Sequence, residues 1–277
     1  MFLIDITVAA FSYLVAAALL PRLGAMLAAG GLSRPNYLGT QIPVAVGVVL
    51  PLAALPGIIL WLSLAGASAV RSAGAGPLAL AFVLIGMASA GLLDDAVGNG
   101  SQRGLQGHLR VALTGKLTTG GCKVLLGGLV SLLAAATLPG RGVWGVLLAG
   151  AVIALAANFV NLCDLRPGRA LKIFGVGYLL VAAAAGTLGG PYLTVLAAAL
   201  ALAPWDLQAK VMMGDTGANA LGAALGLFIV EQFSSTGLAY VLALLVVAHL
   251  AAERWSFSRV IACVPLLQWL DMLGRKR

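Results

Sequence analysis

The sequence predicts an all-α, polytopic integral membrane protein with about nine transmembrane helices and an amphipathic interfacial segment at its C-terminus. Three observations carry this expectation. Of 277 residues, 61% are hydrophobic and 9% charged, whereas a soluble domain is roughly half apolar and a quarter charged. Apolar runs such as 42–65 and 144–163 reach the about 20 residues that a hydrocarbon core requires. The basic residues are confined to the short gaps between such runs.

The expected spans are 3–24, 42–65, 77–93, 120–137, 143–163, 172–188, 191–205, 217–233 and 236–252. Backbone polar groups inside a bilayer must pair within the segment, so each is read as a helix. The first carries no basic stretch ahead of it and is expected to remain as a span rather than leave as a signal peptide. Gly and Ala crowd the spans, which favours close helix packing in lipid. The chain divides into a transmembrane domain, 1–252, and a tail, 253–277. Between 255 and 273 the tail mixes Trp255, Phe257, Ile261, Leu266, Trp269 and Leu270 with Arg259, Gln268 and Asp271, the composition of a helix lying in the interface.

With nine spans and the N-terminus outside, only Arg71 and Arg141 of the 17 Lys and Arg fall on the outer side, leaving 17 − 2 = 15 on the inner side. Such a split fixes orientation by the positive-inside rule, with the C-terminus inside. The net charge of +8 is thereby a property of topology and not of a nucleic-acid-binding stripe. The three cysteines, Cys122, Cys163 and Cys263, suit neither a disulfide framework nor a zinc site and are read as small apolar fillers.

The chemistry gathers at the inner ends of the spans. Asp94 and Asp95 close the third span, Asp164 follows the fifth, and Asp215 precedes the eighth. Carboxylates at a membrane edge are costly unless paired, hydrated or bound to a cation. The Asp94–Asp95 pair reads as a metal or proton-transfer pair or as a solvated helix end. Asn158, Asn161 and Asp164 recur at a helical spacing and share one broad face, either an oxygen-rich ligand surface or a polar helix contact. Met213-Gly214-Asp215-Thr216-Gly217 opens a helix of small residues, where glycine lets a phosphate approach the backbone and the helix N-terminus favours its charge.

Together these segments resemble the polyprenyl-phosphate N-acetylhexosamine-1-phosphate transferases, a glycosyltransferase family that includes the phospho-N-acetylmuramoyl-pentapeptide transferases. The resemblance runs from Arg34 to about Gly226, through Pro35-Asn-Tyr-Leu-Gly39-Thr-Gln-Ile-Pro43, Leu93-Asp94-Asp95, the Asn158/Asn161/Asp164 face and Lys210-Val-Met-Met-Gly214-Asp215-Thr-Gly217. It implies a Mg²⁺-dependent exchange, with Mn²⁺ as the alternative cation, in which polyprenyl phosphate attacks the β-phosphorus of a UDP-sugar and UMP leaves. It implies Asp94, Asp95 and Asp215 as catalytic residues and Asp215 and Asn161 as metal ligands. Asn158, Asn161, Asp164, Arg103, Lys116, Arg166, Arg169 and Met212 are the expected substrate contacts. The expected setting is the bacterial cytoplasmic membrane, with a second copy of the chain as a candidate partner.

The chain departs from the family pattern in three places. Pro167 stands where the family has a second Asp, Met212 where many members have Phe, and the late His-rich loop is missing, since His249 falls inside the ninth span and His108 in the second inner loop. Arg166 and Arg169 are expected to hold the pyrophosphate in place of the lost groups. A relative that binds lipid phosphate without turning it over is the alternative. An ion-coupled transporter is disfavoured, because its carboxylates would lie at mid-bilayer.

Overall fold

The computed structural model describes residues 1–98 and 119–275. Arg103, His108 and Lys116 lie outside the described residues. Twelve α-helices are present among the described residues: α1 (Phe2–Ala29), α2 (Val49–Leu64), α3 (Gly66–Ala73), α4 (Gly76–Val97), α5 (Thr119–Thr137), α6 (Val143–Cys163), α7 (Arg169–Ala185), α8 (Tyr192–Leu207), α9 (Gly214–Gln232), α10 (Ser235–Arg254), α11 (Phe257–Cys263) and α12 (Pro265–Met272).

Each expected span overlaps one of these helices, but the second begins later than expected, since Gln41–Pro43 is a strand and α2 opens at Val49. Among the described residues, six stretches are long and apolar enough to cross a membrane: Phe2–Ala29, Val46–Leu64, Gly76–Val97, Gly120–Thr137, Val143–Cys163 and Ser235–Arg254. The other three expected spans are α7 with 17 residues, α8 with 16, and α9, which has 19 residues but opens on Asp215 and closes on Glu231. The outer helices present Leu14, Ile59, Leu179, Leu244 and Leu250 at their surface, apolar area that lipid can cover and water would penalise.

At the centre stands α9, buried continuously from Thr216 to Phe228. Its small residues let it wedge between α4 and α6. A Cβ at Gly222 would stand 2.4 Å from the Ala156 carbonyl oxygen, and one at Gly226 would stand 2.8 Å from Ile153 Cα. A helix so enclosed has no need of a hydrophobic stripe, because every face meets protein.

The connections sort into two ends. At one end Trp61 Nε1 donates to Asp5 (2.8 Å) and Arg141 donates to the Val230 carbonyl (2.6 Å). At the other end lie the turns around residues 36–47, 164–168 and 208–213, which are bonded to one another. Pro43 accepts from Met212 N (2.7 Å), Met212 accepts from Val46 N (3.2 Å), and Met213 accepts from Gly47 N (2.9 Å).

Two local features differ from the expectation. The first inner connection is a short antiparallel hairpin, β1 (Ser33–Pro35) and β2 (Gln41–Pro43), so the chain is not wholly helical. Asn36 makes the turn, its Oδ1 accepting from Leu38 N (2.9 Å) and Thr40 N (3.0 Å), which is the side-chain mimicry that favours Asn in turns. The tail is two short helices rather than one, broken at Val264. Pro265 supplies no N–H, and it drives Val264 to an extended conformation (φ −106°, ψ 110°), as a residue preceding proline requires.

Close packing around α9 carries a measurable consequence. Gly222→Val is expected to lower the stability of the detergent-solubilised protein by about 1–3 kcal/mol, the usual cost of forcing bulk into a filled interface. Denaturant titration of both proteins checks it.

Candidate active site

A carboxylate from one helix seats the N-terminus of another. The first turn of α9 has backbone N–H groups with no partner inside the helix. Asp95, near the C-terminal end of α4, supplies one: its Oδ1 accepts from Asp215 N (3.1 Å), and its Oδ2 accepts from Thr216 N (2.9 Å) and Thr216 Oγ1 (2.6 Å). The carboxylate thus caps α9 from outside and meets its positive end. The backbone must come close for this to happen. Gly214 adopts φ +72°, and a Cβ there would stand 2.5 Å from Asp95 Oδ2; a Cβ at Gly91 on α4 would stand 2.3 Å from the Asp215 carbonyl oxygen.

Seated in this way, the Asp215 side chain faces α5 and α6. Lys123 on α5 forms an ion pair with Asp215 Oδ2. With the Asn161 amide oriented to satisfy both neighbours, its nitrogen donates to Asp215 Oδ1 (2.9 Å) and its oxygen accepts from Lys123 Nζ (2.9 Å). Carboxylate, ammonium and amide therefore close a ring. Asp94 lies beside Asp215, and Asn158 sits half-buried one turn before Asn161 on α6.

Asp164 caps the end of α6. Burial first, and then the charges of Asp206, Asp215 and Asp95, push its carboxyl well above the usual carboxylate range, while Arg169 pulls the other way.

Two residues outside the expected set complete the arrangement. Lys123 is one, and its signal was an ammonium at the start of an apolar helix, which demands a carboxylate partner. Asp206 is the other. It is 4% exposed at the end of the apolar helix α8, where its Oδ2 accepts from Gly168 N (2.6 Å) and its Oδ1 from Met213 N (3.3 Å). It ties the 164–168 turn to the segment that leads into Asp215.

The two arginines part company. Arg166 is exposed and stacks over the Tyr37 ring, 5.3 Å from its centroid, which leaves its guanidinium at the rim. Arg169, expected at the pyrophosphate, is 4% exposed and turned the other way. It donates from Nε to Asp271 Oδ1 (2.9 Å), from Nη2 to Asp271 Oδ2 (3.0 Å) and from Nη1 to Ser258 Oγ (3.0 Å), so its fork is consumed by the tail. Burial alone would raise the Asp271 carboxyl, but Arg169 and Arg275 outweigh it and hold the group below the usual range. Met212 contributes its backbone to the pairing with Pro43 and Val46.

The sequence profile of glycosyl transferase family 4 matches residues 77–232, more than half of the chain and the stretch that holds Asp94, Asp95, Asn158, Asn161, Asp164, Asp206 and Asp215. The chain belongs to glycosyl transferase family 4. Membership makes it a membrane-embedded phospho-sugar transferase of the polyprenyl-phosphate kind. Among curated proteins no sequence matches it.

The site of this family 4 member suits a hard cation shared with a substrate. Among the described residues, no three His, Cys, Asp or Glu side chains stand close enough to hold a metal by themselves. Asp215 and Asn161 nevertheless direct oxygens at one point, and the Lys123 ammonium sits there as a stand-in cation. One or two carboxylates completed by phosphate oxygens is the usual environment of Mg²⁺.

Lys123→Met removes the counter-charge from Asp215 and one partner from Asn161. It is expected to cost about 1–3 kcal/mol, and Lys123→Met with Asp215→Asn is expected to recover part of that loss, because neither charge is then left alone. Unfolding midpoints of the single and double variants check this.

Proposed function

We propose that the protein transfers N-acetylhexosamine 1-phosphate, or a similar small sugar 1-phosphate, from a UDP-sugar to polyprenyl phosphate, releasing UMP. A phosphate oxygen of the lipid attacks the β-phosphorus, the bond from that phosphorus to the bridging oxygen breaks, and the electron pair leaves with UMP. The observation that carries this reading is the Asp215–Lys123–Asn161 ring seated by Asp95. Phosphoryl transfer needs charge neutralisation and alignment more than covalent help from the protein.

In this reading Asp215 and Asn161 would hold Mg²⁺, or Mn²⁺ in its place, and Asp94 would face the lipid phosphate. The cation would neutralise charge on the phosphates and orient them. Lys123 exchanges its pairing with Asp215 for the donor's phosphate oxygens. Asp95 holds the helix end on which Asp215 is mounted. Asn158 and Asp164 line the sugar side, and Arg166 guards the rim. The small donor is read from the missing His-rich loop: His249 lies inside α10, which runs on to Arg254 and the tail.

The site end is read as cytoplasmic in a bacterial inner membrane, with the N-terminus outside and the C-terminus inside, on the strength of the partition of 15 basic residues against 2. A binding-only relative is disfavoured, since the ring and its clasp are complete in this chain. Coupling ions across the membrane is disfavoured because the carboxylates gather at one end.

One vesicle assay tests the substrates and the sidedness. Inverted vesicles given Mg²⁺, undecaprenyl phosphate and UDP-N-acetylglucosamine are expected to release UMP, whereas right-side-out vesicles are expected to release none. Asp215→Asn is expected to lower the rate about a hundredfold or more, the scale lost when a charge-stabilising group is removed from a transition state. UMP release that survives both EDTA and Asp215→Asn, or a preference for UDP-N-acetylmuramoyl pentapeptide, would contradict the reading.

A further inference from the structure

The C-terminal tail lies beyond the stretch matched by the family, residues 77–232, yet its polar contacts converge on one turn next to the site. Asp271 grips Arg169 with both carboxylate oxygens, at 2.9 and 3.0 Å, and accepts from Arg275 Nη2 at 2.6 Å. Arg275 Nε in turn donates to the Pro167 carbonyl at 2.8 Å. Lys172 Nζ donates to the carbonyls of Leu270 (2.9 Å) and Asp271 (2.7 Å). The side chains of Arg169, Asp271 and Arg275 are only 5%, 11% and 7% exposed, so these charged contacts are sheltered and count for more than surface pairs.

The turn held in this way is coupled to the reaction centre. Gly168 N donates to Asp206, which also accepts from Met213 N, the residue before Gly214 and Asp215. One carboxylate on the tail is therefore three hydrogen-bonded links from the carboxylate at the centre of the site. A cleft of about 250 Å³ opens beside these contacts, lined by Tyr37, Arg166, Gln268 and Arg275 among others. Asp271 is the carboxylate that joins two sheltered guanidinium groups. Without it they would face each other with like charge, and the tail would lose its hold.

We propose that Asp271 is a positioning residue: through Arg169 and Arg275 it clamps the tail onto residues 164–169 and keeps that turn in the shape that receives the nucleotide donor. The inference rests on the transferase reading for the donor's identity and on the geometry alone for the clamp. Pro167 fits this role, since its ring fixes one torsion of the turn and its carbonyl is the atom that Arg275 holds.

The test compares full-length wild type, Asp271→Asn and Asp271→Glu in detergent–lipid micelles. Asp271→Asn keeps the shape and loses the charge. It is expected to raise the KM for UDP-N-acetylglucosamine about tenfold, the scale of one charge-assisted contact, with kcat and the KM for undecaprenyl phosphate little changed. Amide hydrogen exchange across 164–172 is expected to accelerate in Asp271→Asn and to return toward the wild-type rate in Asp271→Glu. A purely structural role would lower kcat, or raise the KM for both substrates together. That pattern, or unchanged exchange across 164–172, would overturn the proposal. If the wild type turns over no donor, the transferase reading fails, and the exchange measurement still decides whether Asp271 holds the turn.

Discussion

The Asp95 carboxylate on the first amides of α9 is the contact on which the rest of the site depends. A helix end inside a membrane protein exposes polar groups that lipid cannot satisfy, and here a neighbouring helix answers them with two oxygens. That answer requires α4 and α9 to meet backbone to backbone, hence glycine at 91 and 214. Once they meet, Asp215 has one direction left to face, toward Lys123 and Asn161. The adjacent acids therefore divide their labour. Asp95 builds the site, while Asp94 stands beside Asp215 within it.

Around this clasp the acidic charge is balanced locally rather than dispersed. Asp215 has an ammonium and an amide, Asp206 has two backbone N–H groups, and Asp271 has two guanidiniums. Asp164 takes the remaining burden and is driven toward its neutral form. In the proposed reading a phosphate-bearing donor would meet the Lys123 ammonium, which leaves Asp215 to pair with it.

Much of this was legible in the sequence, because membrane solvent imposes simple rules. Apolar runs marked where the helices lie, and acidic residues at the span edges marked the end where Asp95, Asp164 and Asp215 gather. The Asn161 and Asp164 face was legible from helical spacing. Lys123 was not, since it read as a loop charge at the start of an apolar run, and its partner lies 92 residues away. Asp206 was passed over because its role is to bond backbone amides, which leave no trace in side-chain patterns. Arg169 was misdirected for the opposite reason. Its chemistry suits phosphate, but a carboxylate in the tail, 102 residues on, claims its fork first. The break at Pro265 was visible as a residue but not as two helices.

The most direct test of the account is a double-mutant cycle between Asp95 and Thr216, with Asp95→Asn, Thr216→Val and the pair compared by equilibrium unfolding in micelles. If the Asp95 clasp seats α9, the two changes are coupled by about 0.5–3 kcal/mol, as for residues sharing one hydrogen-bond network. Effects that add to within about 0.3–0.5 kcal/mol, as for independent sites, would contradict it.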